Sequence, residues 1–526
     1  MKKILITDKI HSRCIEILEQ NSFIVDYKPG ITNQELQQEI KNYNILIVRS
    51  ATQVTPEIIN DGINLELIGR AGAGVDNINL DTATRNGILV MNTPGGNTIS
   101  AAEHTIAMML SLCRNIPRAN QSMKEGKWEK KKFSGVELSS KILGIVGVGK
   151  IGKEVAKRAS AFDMKIIAYD PFLTTEAASK LNLTLVSFEE LLSQSDIITF
   201  HVPLSSETSE LINENNLNKL KKGVKIINCA RGGVVNENAI LKGINDGIIS
   251  GAAFDVFVHE PPDDQSLIVN ERVISTPHLA ASTDEAQEKV AVQLADQIVQ
   301  YFKDGTAAGF VNGLAIQYSG NEKLKPYIEL ANKLGSIHGQ TLENKCSKIE
   351  LEYYGDYLLD YVEVLSTSFL QGLLNSFSDV NVNMVNAKHI AEERGITIRE
   401  IKNNDHPNYN NLIRAVINEK EFLHSFEGIL SGNNIRIIKV DDYKMEFEPH
   451  GTIIIYSNID RPGVLARAGV ILAEHNINIA GVSLSRINKG AAALTIMNVD
   501  DNIDDLLAAK LREINGIDKI NFITLE

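Results

Sequence analysis

The sequence predicts an α/β protein with two tandem doubly wound parallel-sheet domains, an intervening α+β domain and a C-terminal ferredoxin-like domain. Three observations carry this. Short, wholly apolar runs alternate with longer mixed segments as far as Phe302. A glycine-rich turn at 147–152 joins one such run to a helical stretch. The chain closes on a strand–helix–strand–strand–helix–strand order. Short buried runs between helices read as parallel strands covered on both faces, and the βαββαβ order is that of a ferredoxin-like unit.

In order along the chain, residues 4–6, 45–48, 67–68 and 88–91 are apolar runs that suit buried strands. Residues 12–20 and 34–42 have helical spacing. Residues 100–114 carry Ala, Ile, Met and Leu almost all round, which predicts a helix buried between domains or between subunits. A second alternating series follows, with strands at 142–146, 165–169, 197–200, 224–228, 251–254 and 273–275. Helices at 151–161, 215–221 and 236–245 lie between them, and another spans 283–302. Residues 320–445 contain helical and strand-like stretches but no motif of nameable chemistry. Beyond Glu446 come a strand at 452–457, a helix at 463–475 and a strand at 479–486. The turn Asn488-Lys489-Gly490 returns the chain as a strand at 492–498, before a helix at 504–513 and a strand at 517–525. The expected domains are 1–98 with 287–313, then 99–286, 314–446 and 447–526.

The 526 residues allow three or four domains at about 150 residues each. Lys and Arg total 53 against 66 Asp and Glu, and a net charge of −13 repels a nucleic-acid backbone. No apolar run approaches the ~18–20 residues of a membrane helix, and Thr7 and Asp8 interrupt the first run too early for a signal peptide. Cys14, Cys113, Cys229 and Cys346 stand far apart with no CxxC pair, which argues against disulfides or a structural metal and fits a reducing cytoplasm.

Gly147-Val148-Gly149-Lys150-Ile151-Gly152 directly follows an apolar strand and opens a helix. The first glycine of GxGxxG permits a tight turn, the second lets a pyrophosphate approach, and the third packs helix on strand. Asp170, at the end of the next strand, would accept hydrogen bonds from a ribose and repel a 2′-phosphate, favouring NAD over NADP. This is the Rossmann dinucleotide signature. Asn228-Cys229-Ala230-Arg231-Gly232-Gly233 ends a parallel strand, where ligands of open sheets gather. Taken alone, Arg231 fits equally a substrate carboxylate or the cap of the next helix. Glu260 before two prolines and His278 after Pro277 end the next two strands. A carboxylate beside a His orients it and stabilises its cation, which suits acid–base work on a hydroxyl.

These motifs, in this order, resemble the D-isomer-specific 2-hydroxyacid dehydrogenases. Within that family, Arg49-Ser50-Ala51-Thr52, the segment from Gly69 to Asn77 and Asn92-Thr93-Pro94 resemble the branch acting on 3-phosphoglycerate, and the last domain resembles an ACT module. The resemblance implies oxidation of 3-phospho-D-glycerate to 3-phosphohydroxypyruvate with NAD and no metal, the first step toward L-serine. It implies Arg231, Glu260 and His278 as catalytic residues. Cofactor contacts would come from Gly147, Gly149, Lys150, Ile151, Gly152, Asp170, Val202, Cys229, Ala230, Arg231, Asp255, His278 and Ala281. Arg49, Arg70, Gly72 and Asn77 would join Arg231 and His278 around the substrate.

The turn Asn458-Ile459-Asp460-Arg461-Pro462-Gly463 offers backbone amides at a helix N-terminus, and Asn478 opens the next strand. Its resemblance to serine-binding ACT domains implies feedback by L-serine through Asn458, Asp460 and Asn478, the alternative being an ACT domain that only dimerises. The helix at 100–114 implies a homo-oligomer, a dimer or tetramer. Two other activities share these residues: a reductase of glyoxylate, hydroxypyruvate or 2-oxoglutarate, and a non-catalytic NAD-sensing protein. The phosphate-binding arginines disfavour the first and the terminal domain disfavours both.

Overall fold

The computed structural model describes residues 1–525 apart from 307, 314, 315, 317, 319, 320, 343–346, 379, 380 and 418–424. Cys346 and residue 314, the expected start of the intervening domain, lie outside the described residues. Cys14, Cys113 and Cys229 are free and buried.

β1 (Lys3–Ile6), β2 (Ile24–Tyr27), β3 (Ile45–Val48), β4 (Leu67–Arg70) and β5 (Leu89–Asn92) form a parallel sheet in the order β2-β1-β3-β4-β5. All four residues of β3 are buried, as its Ile-Leu-Ile-Val run demands. The edge strand β2 is half-exposed and mixed in character, so it gave no apolar run to read. The sheet order reverses between β1 and β3, which opens a crevice beyond their C-terminal ends. Asp8 and Arg49 stand there.

β6 (Ile142–Val146), β7 (Lys165–Tyr169), β8 (Thr184–Leu185), β9 (Ile197–Phe200), β10 (Val224–Asn228), β11 (Ile249–Phe254) and β12 (Val273–Ser275) form a second parallel sheet. Its order is β12-β11-β10-β9-β6-β7-β8, with the reversal between β6 and β9. The helix expected at 215–221 is only a single 3₁₀ turn, Leu217–Lys219. Asn216 bonds the Asn213 N–H and the Leu211 carbonyl with its side chain, the local competition that makes Asn a poor helix former.

Helix Asp284–Asp304, capped by Thr283 and closed by Gly305 at φ 75°, returns to the first sheet. Its Ala291, Leu294 and Ile298 share a core with Ile4, Ile6 and Ile47. Gly69 is a close approach, since a Cβ there would lie 3.1 Å from Leu294. Helix Thr98–Arg114 buries Ala102, Thr105, Met109 and Cys113 against the second sheet, while Ile99 stays exposed.

The third sheet is mixed: β13 (Lys348–Tyr354), β14 (Thr397–Asn403), β15 (Leu412–Ile417), β16 (Ser425–Ser431), β17 (Asn434–Val440) and β18 (Tyr443–Phe447), in the order β14-β13-β15-β16-β17-β18. Helices Lys325–Thr341 and Val362–Asn375 cross on it so closely that a Cβ on Gly335 would lie 2.0 Å from the Phe369 carbonyl. The fourth sheet is antiparallel: β19 (Gly451–Ile459), β20 (Ile479–Arg486), β21 (Ala492–Val499) and β22 (Ile517–Leu525), ordered β20-β21-β19-β22. Ile454, Tyr456 and Met497 face its own two helices. The opposite face (Ile453, Ile455, Leu494, Ile496, Ile523) joins the core of the third unit, including Leu334 and Ile337. Gln340 seals that seam, exchanging two 2.9 Å hydrogen bonds with the backbone of Thr524.

Candidate active site

The glycine turn sits at the reversal of the second sheet. Gly147 has φ 88°, and a Cβ there would meet the His201 carbonyl at 2.6 Å and Val202 Cγ1 at 2.6 Å. A Cβ on Gly152 would stand 2.2 Å from the Gly147 carbonyl, so the third glycine is required for packing. Gly149 faces open space, with nothing within 4 Å of its Cβ direction. It is the N-cap of helix Lys150–Ser160 and provides no side-chain cap, which leaves Ile151 and its neighbours presenting free amides. A pyrophosphate fits that cradle. Asp170 accepts from the Val148 N–H at 2.8 Å and the Phe172 N–H at 2.9 Å, placing its carboxylate against the turn. Lys150 reaches the Pro94 carbonyl at 3.2 Å.

Beyond the ends of the neighbouring strands β10, β11 and β12 lie Arg231, Glu260 and His278. His278 Nδ1 and Glu260 Oε2 are 2.8 Å apart. Burial raises the Glu260 pKa, but hydrogen bonds from His278 and the Phe257 amide outweigh it and hold the carboxyl below its usual range. An ionised carboxylate only accepts, so Nδ1 carries the hydrogen, and in the neutral ring Nε2 presents the lone pair. Asn228 shapes the next loop, accepting from the Ala230 N–H at 3.1 Å and donating to the Arg231 carbonyl at 2.9 Å. Burial and the nearby Asp255 push the Cys229 thiol up to about 12, which leaves it a protonated wall rather than a nucleophile.

Asp255 is wholly buried. It accepts from Thr276 Oγ1 at 2.5 Å and from the Leu279 and Ala280 amides at 2.7 and 2.9 Å. Its backbone carbonyl takes the His278 N–H at 2.8 Å. Ala281 lies in the same loop.

From the first sheet, Arg70 Nε donates to Asn77 Oδ1 at 3.2 Å, and Asn77 Nδ2 donates to the Arg49 and Thr52 carbonyls. Burial, then the charges of Arg231 and Arg49, push the Arg70 guanidinium down to about 10 against the opposing pull of Asp76. Three arginines therefore share one space. Gly72 leaves room for the Arg70 guanidinium where it stands, since a Cβ there would lie 2.4 Å from Arg70 Nη1. Asp8 holds the Arg49 loop through the Arg49 N–H at 2.5 Å and the Thr52 hydroxyl at 2.6 Å.

In the last unit, Asp460 pairs with Arg486 and accepts from the Gly490 N–H at 3.2 Å. Asn458 is buried and accepts from Thr495 at 3.2 Å. Asn478 bonds Asp500 at 2.8 Å. The register pairs Ile459 with Ala492 but Ile479 with Val499, so Asn478 lies at the opposite end of β21 from Asn458 and Asp460. One protomer brings the first two together and not the third.

Sequence reasoning missed Asp8, Asp76 and His104. Asp76 pairs with Arg231 at 3.1 Å, and His104 Nε2 lies 3.1 Å from both Thr276 Oγ1 and Asp255 Oδ1. Asp76 lies within the Gly69–Asn77 segment without being singled out there, and no motif announces Asp8 or His104.

Residues 106–280 match the model of the D-isomer specific 2-hydroxyacid dehydrogenase NAD binding domain, 323–441 that of the D-3-phosphoglycerate dehydrogenase intervening domain, and 452–516 that of the ACT domain. The D-3-phosphoglycerate dehydrogenase of Archaeoglobus fulgidus is 40% identical, covering 99% of this chain and 100% of its own. That of Methanocaldococcus jannaschii is 39% identical over 100% of both. Among solved structures, Aquifex aeolicus D-lactate dehydrogenase complexed with NAD and lactic acid covers 57% of this chain and 95% of its own, at 29% identity and a TM-score of 0.51. With full-length relatives at this identity, the chain belongs to the D-3-phosphoglycerate dehydrogenase family.

Proposed function

We propose that the protein oxidises 3-phospho-D-glycerate to 3-phosphohydroxypyruvate with NAD, the entry step to L-serine. The observation that carries this is the shared field of Arg49, Arg70 and Arg231 at one end of the site, beside a His278–Glu260 pair at 2.8 Å. Like charges so grouped repel one another, and a ligand with a phosphate and a carboxylate relieves that repulsion. Arg231 takes the carboxylate and polarises the oxygen at C2. His278 Nε2 removes the hydroxyl proton, and the ionised Glu260 stabilises the imidazolium that results. NAD, when bound, accepts the hydride released from C2. Asp170 at the ribose position favours NAD over its 2′-phosphorylated form.

The first-sheet unit (1–98 with 287–313) and the 99–286 unit act as two jaws, closing to exclude water during the transfer. L-Serine is the proposed effector of the last unit, and helix Thr98–Arg114 the proposed base of a homo-oligomer. No described helix is long and apolar enough to cross a membrane, and we place the enzyme in the cytoplasm. The decisive assay compares NAD reduction with 3-phosphoglycerate and with unphosphorylated D-glycerate, each with and without L-serine. Strong preference for the phosphorylated substrate is expected; equal efficiency on both overturns the reading.

A further inference from the structure

His278 lies at φ 53°, in the left-handed region that a non-glycine residue holds only when its surroundings impose it. Its loop is gripped from two directions. From its own sheet, Asp255 takes the Thr276 hydroxyl, the Leu279 and Ala280 amides and, at its carbonyl, the His278 amide. From helix Thr98–Arg114 come two side chains one turn apart on the same face. Ser100 Oγ donates to the Ala280 carbonyl at 2.7 Å. His104 places Nε2 3.1 Å from Thr276 Oγ1 and 3.1 Å from Asp255 Oδ1.

A proton count fixes the direction of the His104 contacts. Thr276 has one hydroxyl hydrogen, and it goes to Asp255 Oδ1. Asp255 is ionised: burial raises its pKa, but the donors around it, among them the Thr276 hydroxyl and the Leu279 and Ala280 amides, together lower it below the usual value. Both neighbours of His104 Nε2 are therefore acceptors, so Nε2 carries a hydrogen and shares it between them. This is a donor aimed at a buried carboxylate whose other partners are the loop itself.

We propose that His104 is a positioning residue for hydride transfer: its Nε2–H locks Thr276 and Asp255, and through them sets the 276–280 loop so that His278 meets the substrate hydroxyl. It touches neither His278 nor Glu260 directly, and its effect is on the geometry of their loop. The proposal rests on the reading of His278 as the acid–base group.

The test uses the full-length enzyme with NAD and 3-phosphoglycerate. His104→Leu and His104→Met remove the donor, whereas His104→Gln restores an amide N–H near the Nε2 position. Misplacing a catalytic group by a fraction of an ångström is expected to lower kcat about tenfold in the donor-free variants, with KM changed less than about twofold. The Gln variant should keep at least about half of the parent kcat, which a purely structural role would not separate from Leu and Met. Donor-free variants within twofold of the parent overturn the proposal, and so does a Gln variant that falls as far as Leu. His278→Gln is measured alongside. Undiminished turnover there removes the acid–base reading itself; lost turnover there with unaffected His104 variants removes only the role of His104.

Discussion

Arg231 reaches from the second sheet to Asp76 in the first, with Nε 3.1 Å from Oδ2, while its Nη1 is held by the Ala230 carbonyl at 2.7 Å. The pair links the two sheet units across the cleft proposed above to take the anionic substrate. Asp76 is largely exposed, so its attraction for Arg231 contributes little to stability. Its negative charge, however, opposes the substrate carboxylate. Asp76→Asn keeps an acceptor oxygen for Nε and removes the charge. KM for 3-phosphoglycerate should fall about two- to fivefold, an exposed-charge effect of up to ~1 kcal/mol, with little change in kcat. Steady-state kinetics at low ionic strength checks this, and a raised KM would count against the assignment of the substrate carboxylate to Arg231.

The glycines of the turn separate packing from ligand approach. A Cβ at Gly152 collides with the Gly147 carbonyl at 2.2 Å, whereas one at Gly149 meets nothing within 4 Å. Gly152→Ala should therefore destabilise the fold by about 1–3 kcal/mol, the usual range for overpacking. Gly149→Ala should leave the melting temperature nearly unchanged but weaken NAD at least about tenfold, because the methyl stands where the pyrophosphate approaches. Thermal melts and NAD titrations of both variants read the two effects independently. Unchanged NAD affinity in Gly149→Ala would displace the pyrophosphate from this cradle.

The residues legible in the sequence are those whose role is local. The GxGxxG turn, Arg231, Glu260 and His278 each sit in a short motif beside an apolar strand, and strands such as β3 are buried along their whole length. β2 lies half-exposed at a sheet edge and shows no such run. The 215–221 stretch has helix formers, but Asn216 ties up the backbone instead. Asp76 and His104 act on partners 155 and 172 residues away, contacts that only the packing of helix Thr98–Arg114 and the two sheets creates. The shared core of the third and fourth units was legible only in part: the run Ile453-Ile454-Ile455-Tyr456 in β19 is apolar on both faces, but a ferredoxin-like sheet reads as a complete domain and nothing in the run says what covers its second face.

Asp255 offers a pH test with a defined sign. Burial alone would raise its pKa, but four donors lower it below the unfolded value of about 3.9. A carboxyl with a depressed folded-state pKa stabilises the fold fully above the unfolded value, and that contribution is lost as pH falls through the folded value. The Leu279 and Ala280 amides point at different oxygens, so Asp255→Asn must turn its own NH₂ against one of them. The variant should lose about 1–3 kcal/mol of stability at pH 7. The gap between parent and variant should narrow as pH falls below the unfolded value of about 3.9 and on through the lower folded value. Denaturant melts across that range check it; a gap that widens toward acid would contradict the ionised assignment.

Asp460 provides the test of regulation. Its carboxylate is held below the ordinary range first by the Arg486 guanidinium and then by the Gly490 amide, so it remains ionised and oriented at the turn before helix Val464–Glu474. An α-ammonium group is the complement of such a carboxylate, and the turn amides complement an α-carboxylate. Asn458 lies beside it, whereas Asn478 sits at the far end of β21. A serine site that uses all three residues therefore needs Asn478 from a second protomer, and a site within one protomer uses only Asn458 and Asp460. Asp460→Ala should weaken inhibition by L-serine at least about tenfold while leaving uninhibited kcat unaltered. Asn478→Ala distinguishes the two arrangements. Mixed oligomers of Asp460→Ala and Asn478→Ala chains, each inactive as a receptor alone, should regain one of the two sites at every interface between unlike chains if the site is shared. Inhibition that survives in both single variants would place the effector elsewhere.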